Sequence, residues 1–202
     1  RRRSSLMASL VHKRALAPTY PRDLQSHANL IAHIGVGGFH RSHQALYTHE
    51  LLLQTDSAPS NGASPKPWAI CGIGLMSFDE KMASALREQS YMYTVLSQGE
   101  RGPAATVVGS IMDFVLGGDA AVQRLADPAV KIVSLTVTEK GYCRGVDGRL
   151  DVNHELVRAE LPLGATPRSA IGLIFAALRE RRSRGVGAFT VLSCDNMPDN
   201  GV

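Results

Sequence analysis

The chain has 202 residues, 44% of them hydrophobic, which is enough for one large domain with its own core. No apolar run approaches the ~18–20 residues a membrane span needs, so no membrane association is expected. The net charge of +4 is local: Arg1, Arg2, Arg3, Lys13, Arg14 and Arg22 fall in the first 22 residues without an acid among them, and the rest of the chain carries −2. That distribution argues against a nucleic-acid-binding face on the domain.

Residues 1–27 therefore read as a basic, flexible N-terminal extension ahead of a domain at 28–202. Their acid-free, Arg- and Ser-containing composition is also that of a mitochondrial presequence, but the expected location is the cytoplasm. The first predicted strand is Leu30–Ile34, followed by a glycine turn and a helix over His43–Leu53. Asp56–Pro67 is a Ser-, Pro- and Gly-containing loop. Ala69–Met76 is a continuous apolar strand of the kind buried on both faces in a parallel sheet. A short helix over Asp79–Glu88 follows. Tyr91–Ser97 and Thr106–Ile111 are expected to form a hairpin around Gly99–Pro103.

Ala120–Leu125 is a short helix, and the β-branched run Val130–Thr138 is the most strongly marked strand. Gly141–Leu163 is irregular. Pro167–Arg184 is the best helix, with Pro in its first turn and Gly185 as its stop. Arg179, Arg181, Arg182 and Arg184 are expected to form a solvated face near its C-terminus. Phe189–Ser193 is the last strand. The alternation predicts an α/β fold, doubly wound, with a mostly parallel sheet and helices on both faces. Cys71, Cys143 and Cys194 have no paired spacing and read as free thiols; no histidine spacing suggests a metal site.

Candidate chemistry sits at three strand ends. Gly35-Val36-Gly37-Gly38-Phe39-His40 is an incomplete GxGxxG, with His40 at the third glycine position. Gly35 suits a tight turn, and Gly37 lets the backbone approach a pyrophosphate. The amides opening the helix, at Gly38 and Phe39, can bind phosphate. Arg41 can neutralise phosphate charge, and His40 is expected to stay neutral. Asp79, after the second strand, can accept hydrogen bonds from adenosine ribose hydroxyls and repel a 2′-phosphate, which favours NAD; capping of the next helix is the alternative. Thr138, Glu139 and Lys140 form the third strand end, after Val130–Thr138, and Lys140 is read as a surface or cofactor-side charge rather than a catalytic base.

The string GVGGFHRSHQALYTHELL, together with WAICGIGLM, IVSLTVTEKGYC and FTVLSCDNMPDNG in that order, resembles the polyol-specific long-chain dehydrogenases, the family of mannitol 2-dehydrogenase and fructuronate reductase (mannonate oxidoreductase). The resemblance covers residues 28–202 and implies a Rossmann-like cofactor domain that binds NAD. It implies hydride transfer at C2 of a sugar alcohol or sugar acid, mannitol/fructose or mannonate/fructuronate, without a metal. It makes Asn196 the asparagine that stabilises the developing oxyanion. The family's catalytic lysine, second asparagine, histidine and Val-Asp-Arg-Ile signature are expected outside this chain, in a substrate domain it lacks. The chain alone is then expected to be inactive. A non-catalytic nucleotide-binding module or relic stays open as an alternative, as does a Rossmann-like methyltransferase.

Overall fold

A strand can be apolar along its whole length only where helices cover both faces of its sheet. The computed structural model, which describes residues 18–23, 29–56, 67–99, 102–162, 164–196 and 200, shows this arrangement. In chain order the elements are β1 (Asn29–Ile34), α1 (Gly38–Ser42), α2 (Gln44–Asp56), β2 (Trp68–Gly74), α3 (Asp79–Glu88), β3 (Tyr93–Gly99), β4 (Gly102–Val108), β5 (Ile111–Leu116), α4 (Gly118–Ala126), β6 (Val130–Leu135), a 3-10 turn (Glu139–Tyr142), α5 (Glu155–Glu160), α6 (Ala170–Ser183) and β7 (Thr190–Ser193).

Five strands form one sheet in the order β5-β2-β1-β6-β7. Every pairing in it is parallel. Leu30, Ala32 and Ile34 of β1 face one core with Leu125 of α4 and Leu173 and Ala177 of α6. Ile31 faces the other, with Ala45 of α2 and Ala83 and Leu86 of α3. The sheet is thus doubly wound, as expected. From β1 the chain winds outward through β2 to β5, then returns past β1 to β6 and β7. That reversal opens a crevice at the carboxyl ends of β1 and β6.

Several elements differ from the sequence reading. The expected strand Thr106–Ile111 is two strands: β4 ends at Val108, and β5 starts at Ile111 in the other sheet. The corner between them is held by Ser110, whose hydroxyl donates to the Ala45 carbonyl, and by Arg22, whose Nε donates to Gly109 O at 3.0 Å and Nη2 to Ile111 O at 3.2 Å. Asp113 interrupts the apolar pattern of β5, but Arg124 neutralises it at 2.6 Å. The predicted strand Val130–Thr138 stops at Leu135: Thr136 bonds Ile34 O and Gly35 O at the end of β1, and Val137 N donates to Asp195, just past β7. Pro167 lies ahead of α6, whose N-cap is Ser169, with the hydroxyl accepting from Gly172 N. Gly185 ends that helix at φ 68, as expected.

Arg181 corrects the reading of a solvated arginine face. It is 3% exposed. Its Nε donates to Gly187 O at 2.6 Å, and its Nη1 to the carbonyls of Leu125 and Asp127, both at 2.9 Å. Arg184 pairs with Glu180 at 2.6 Å near the surface. Within the segment expected to be flexible, Tyr20 is buried and hydrogen-bonds His49, and Arg22 also donates to Ser90 O at 2.7 Å. Residues 57–66, most of the expected loop, lie outside the described residues, as do residues 1–17. The three cysteines are free, and burial pushes the Cys71 thiol up to about 12.

Candidate functional site

The crevice is a cleft of about 620 Å³ over the ends of β1, β2 and β6, a size typical of small-molecule sites. Its floor is the turn after β1. Gly35 has φ 95, and a Cβ there would collide with the Thr136 carbonyl, so only glycine fits. The Gly35 carbonyl accepts from Gly37 N at 2.7 Å and from the Thr136 hydroxyl at 2.7 Å. This locks the turn to the end of β6. Gly37 is different. Its backbone is extended, and a Cβ would meet no heavy atom nearer than the Gly35 carbonyl at 3.9 Å. The protein's own packing does not demand glycine at 37; a side chain there would project into the cleft.

Gly38 opens α1, and a Cβ on it would touch nothing within 4 Å. The first bond back into the turn is Arg41 N to Gly37 O at 3.2 Å. The amides of Gly38, Phe39 and His40 therefore have no acceptor within this helix. The Phe39 side chain stacks on His43, with centroids 4.3 Å apart. Arg41 turns back: its Nε donates to Gly37 O at 3.2 Å, its guanidinium lies 5.8 Å over the Tyr93 ring, and its carbonyl accepts from Tyr93 Oη at 2.6 Å.

Beneath the turn lies a pair the motif did not disclose. His33 and His40 are fully buried and stack with centroids 3.4 Å apart and planes at 14°. His33 reaches Ser134 Oγ and Thr136 Oγ1, each at 2.8 Å, and Gly35 O at 3.2 Å. Neither ring nitrogen of His40 has a hydrogen-bond partner among the described residues. Burial lowers the His33 pKa to about 4; burial and the adjacent His33 lower that of His40 to about 2. Both rings are neutral at physiological pH.

On the β2 side stands Asp79. Its Oδ2 accepts from Leu75 N at 3.0 Å and Met76 N at 2.9 Å. It is not the N-cap of α3, which is Phe78. Instead it pins the turn that carries it, and it remains on the cleft lining. On the β6 side, Thr138 and Lys140 also line the cleft. Glu139 and Asn196 are exposed and stand outside the lining, as do Gly38, Phe39 and Arg41. The structure thus brings Gly35, Gly37, Asp79, Thr138 and Lys140 together around one space.

The far wall was missed. His154 and Arg168 line the cleft, yet they come from the stretch read as irregular and from the run ahead of α6. Nothing local marks them, since only the return of the chain over the sheet brings them there. Glu160 holds that wall together: its carboxylate accepts from the amides of Arg168 and Ser169, and from Ser169 Oγ at 2.8 Å. No ion pair of Arg168 or Lys140 occurs among the described residues.

A doubly wound sheet with a glycine turn under a cleft at its switch point defines a nucleotide-binding domain of the Rossmann class. Residues 29–202 match the family described as the mannitol dehydrogenase Rossmann domain, and the chain belongs to that family. It is 42% identical over 177 residues to D-mannonate oxidoreductase of Escherichia coli (strain K12), covering 85% of this chain and 35% of that protein. It is 40% identical over 194 residues to mannitol 2-dehydrogenase of Aspergillus terreus, covering 93% of this chain and 37% of that one. Among solved structures, mannitol 2-dehydrogenase of Pseudomonas fluorescens in ternary complex with NAD and D-mannitol superposes with a TM-score of 0.80 at 39% identity, over 96% of this chain and 39% of that one. The chain therefore spans little more than a third of the length of these relatives. Among the described residues no helix is long and apolar enough to cross a membrane.

Proposed function

We propose that the cleft binds NAD(H), and that the protein moves hydride between the nicotinamide and C2 of a sugar alcohol or sugar acid in the cytoplasm. Mannitol/fructose and mannonate/fructuronate are the leading pairs. The observation that carries this reading is Gly37, a glycine whose missing side chain leaves cleft space empty rather than relieving a contact within the protein. Electrostatics agree. Lys140 and Arg168 face the cleft, and Asp79 is the carboxylate on its lining, so the surplus suits a doubly charged pyrophosphate.

In this reading Gly35 shapes the turn, Gly37 leaves room for the pyrophosphate, and the amides of Gly38 and Phe39 donate to it, with Arg41 nearby as a counter-charge. Asp79 accepts from the adenosine ribose hydroxyls and disfavours a 2′-phosphate. Thr138, Glu139 and Lys140 border the nicotinamide side. Bound NAD supplies the hydride acceptor; the protein orients it and stabilises charge. Asn196 donates to the substrate oxygen as charge develops there.

On this reading most substrate contacts, and the general acid, are expected outside the cofactor domain. The 202-residue chain then binds NADH without oxidising it against fructose or fructuronate. Calorimetric titration tests the reading. NADH is expected to bind and NADPH to bind more weakly, and a chain that binds neither would overturn it. In a protein that joins this domain to a substrate domain and turns over, Asn196→Ala is expected to lower kcat by ~10²-fold or more.

A further inference from the structure

Asp195 is 7% exposed, and its carboxylate collects donors from three separate segments. Oδ1 accepts from the amide of Val137, just past β6. Oδ2 accepts from the phenol of Tyr142, in the 3-10 turn, and from the Ser193 hydroxyl at 2.7 Å, at the end of β7. The backbone of this segment is anchored too. Cys194 N donates to Leu135 O at 2.8 Å, and the Asp195 carbonyl accepts from Asn200 Nδ2 at 2.9 Å. Hydrogen bonds to a charged acceptor are about twice as strong as neutral ones, and a buried carboxylate needs them all.

What this carboxylate holds is one wall of the cleft. Val137, Thr138, Lys140 and Gly141 line it between the two tethered points, Val137 and Tyr142. Seven residues, 136–142, run from β6 to the αL residue Cys143, and past Thr136 their other backbone bonds are local ones, Gly141 N to Thr138 O at 2.7 Å and Cys143 N to Lys140 O at 3.2 Å. A doubly wound dinucleotide fold divides its ligand between two halves: the first, with the glycine turn, takes the adenosine half, and the second takes the other mononucleotide. β6, β7 and Asp195 belong to the second half.

Resting on the NAD-binding reading above, we propose that Asp195 is the positioning residue for the nicotinamide half of the cofactor, fixing the Val137–Tyr142 wall against which that half lies. The role is selective. Neither the turn at Gly35–Gly37 nor Asp79 on the β2 side is hydrogen-bonded to this carboxylate, so recognition of the adenosine and pyrophosphate is expected to survive its loss.

The test compares two ligands on the 202-residue chain. Asp195→Asn is expected to weaken NADH at least tenfold while ADP, which carries only adenosine and pyrophosphate, stays within twofold of the parent. Tyr142→Phe removes one donor and leaves the carboxylate in place. It is expected to weaken NADH about threefold without changing ADP, and it decides the matter if Asp195→Asn does not fold. A general packing role would weaken both ligands together, and that result overturns the proposal. Unchanged NADH binding in the folded variants overturns it as well. A parent chain that binds neither ligand removes the nucleotide reading itself, and this inference with it.

Discussion

On one side of the cleft, Gly35 to Gly37 keep their shape through backbone torsions and short-range bonds, closed by one contact to Thr136. On the other, Val137 to Tyr142 are held by a carboxylate 58 positions from Val137 and 53 from Tyr142. The first wall is steric and continuous with β1, a strand buried on both faces. The second is a polar tether beside β7, whose four residues are all exposed among the described residues. A glycine turn has one geometry or none, whereas a tethered segment can be loosened by degrees. Substitutions on the two walls should therefore fail differently.

The largest expected effect is on stability. Gly35→Ala places a Cβ against the Thr136 carbonyl in a left-handed conformation. Backbone strain and overpacking together are expected to cost about 2–5 kcal/mol, read as a lower urea midpoint. A variant as stable as the parent would show that the β1 turn is not locked to β6.

Acid probes the same wall from beneath. Burial lowers the His33 pKa to about 4 and that of His40 to about 2, against ~6.5 in the unfolded chain. The unfolded state thus takes up the protons first, and stability is full above pH ~6.5 and lost as pH falls below it, toward 4 for His33 and further for His40. Each histidine contributes about 1.4 kcal/mol per pH unit over its window. A series of urea titrations from pH 7 to pH 4.5 is expected to show this slope, and His40→Leu is expected to flatten it. A slope that His40→Leu leaves unchanged would assign the acid sensitivity to other groups.

Two substitutions next to this lock separate site from fold. A Cβ on Gly37 meets no heavy atom nearer than the Gly35 carbonyl at 3.9 Å, so on Gly37→Val thermal stability is expected to stay near that of the parent while NADH affinity falls at least 100-fold, about 2.7 kcal/mol. Gly35 and Gly37, two positions apart, would then divide cleanly into a folding glycine and a binding glycine. The smallest effect concerns Asp79→Ala. Removing the carboxylate is expected to raise NADPH affinity relative to NADH by about tenfold, with about 1 kcal/mol of stability lost with the bonds to Leu75 and Met76. A constant ratio of the two dissociation constants would leave Asp79 with the turn alone.

The β1 run, the glycine turn and the alternation of strands and helices are legible from the chain because each is set by local chemistry: apolar periodicity, a positive φ that only glycine tolerates, a Gly stop after a helix. The resemblance carried by GVGGFHRSHQALYTHELL rests on the same contiguous residues. Local reading fails where a long-range partner changes what a residue means. Asp113 interrupts the apolar pattern of β5 until Arg124 neutralises it. Arg181 reads as a solvated charge until the carbonyls of Leu125, Asp127 and Gly187 surround it.

The sequence by itself determined the class of fold, the position of the glycine turn and the family, since these depend on residues within a few positions of one another. Only the tertiary structure decided that His154 and Arg168 face the cleft, that His33 and His40 stack beneath the turn, and that Asp195 ties β6 to β7. Each of those depends on strands distant in the chain lying side by side, and no periodicity or spacing along the chain records which strands those are.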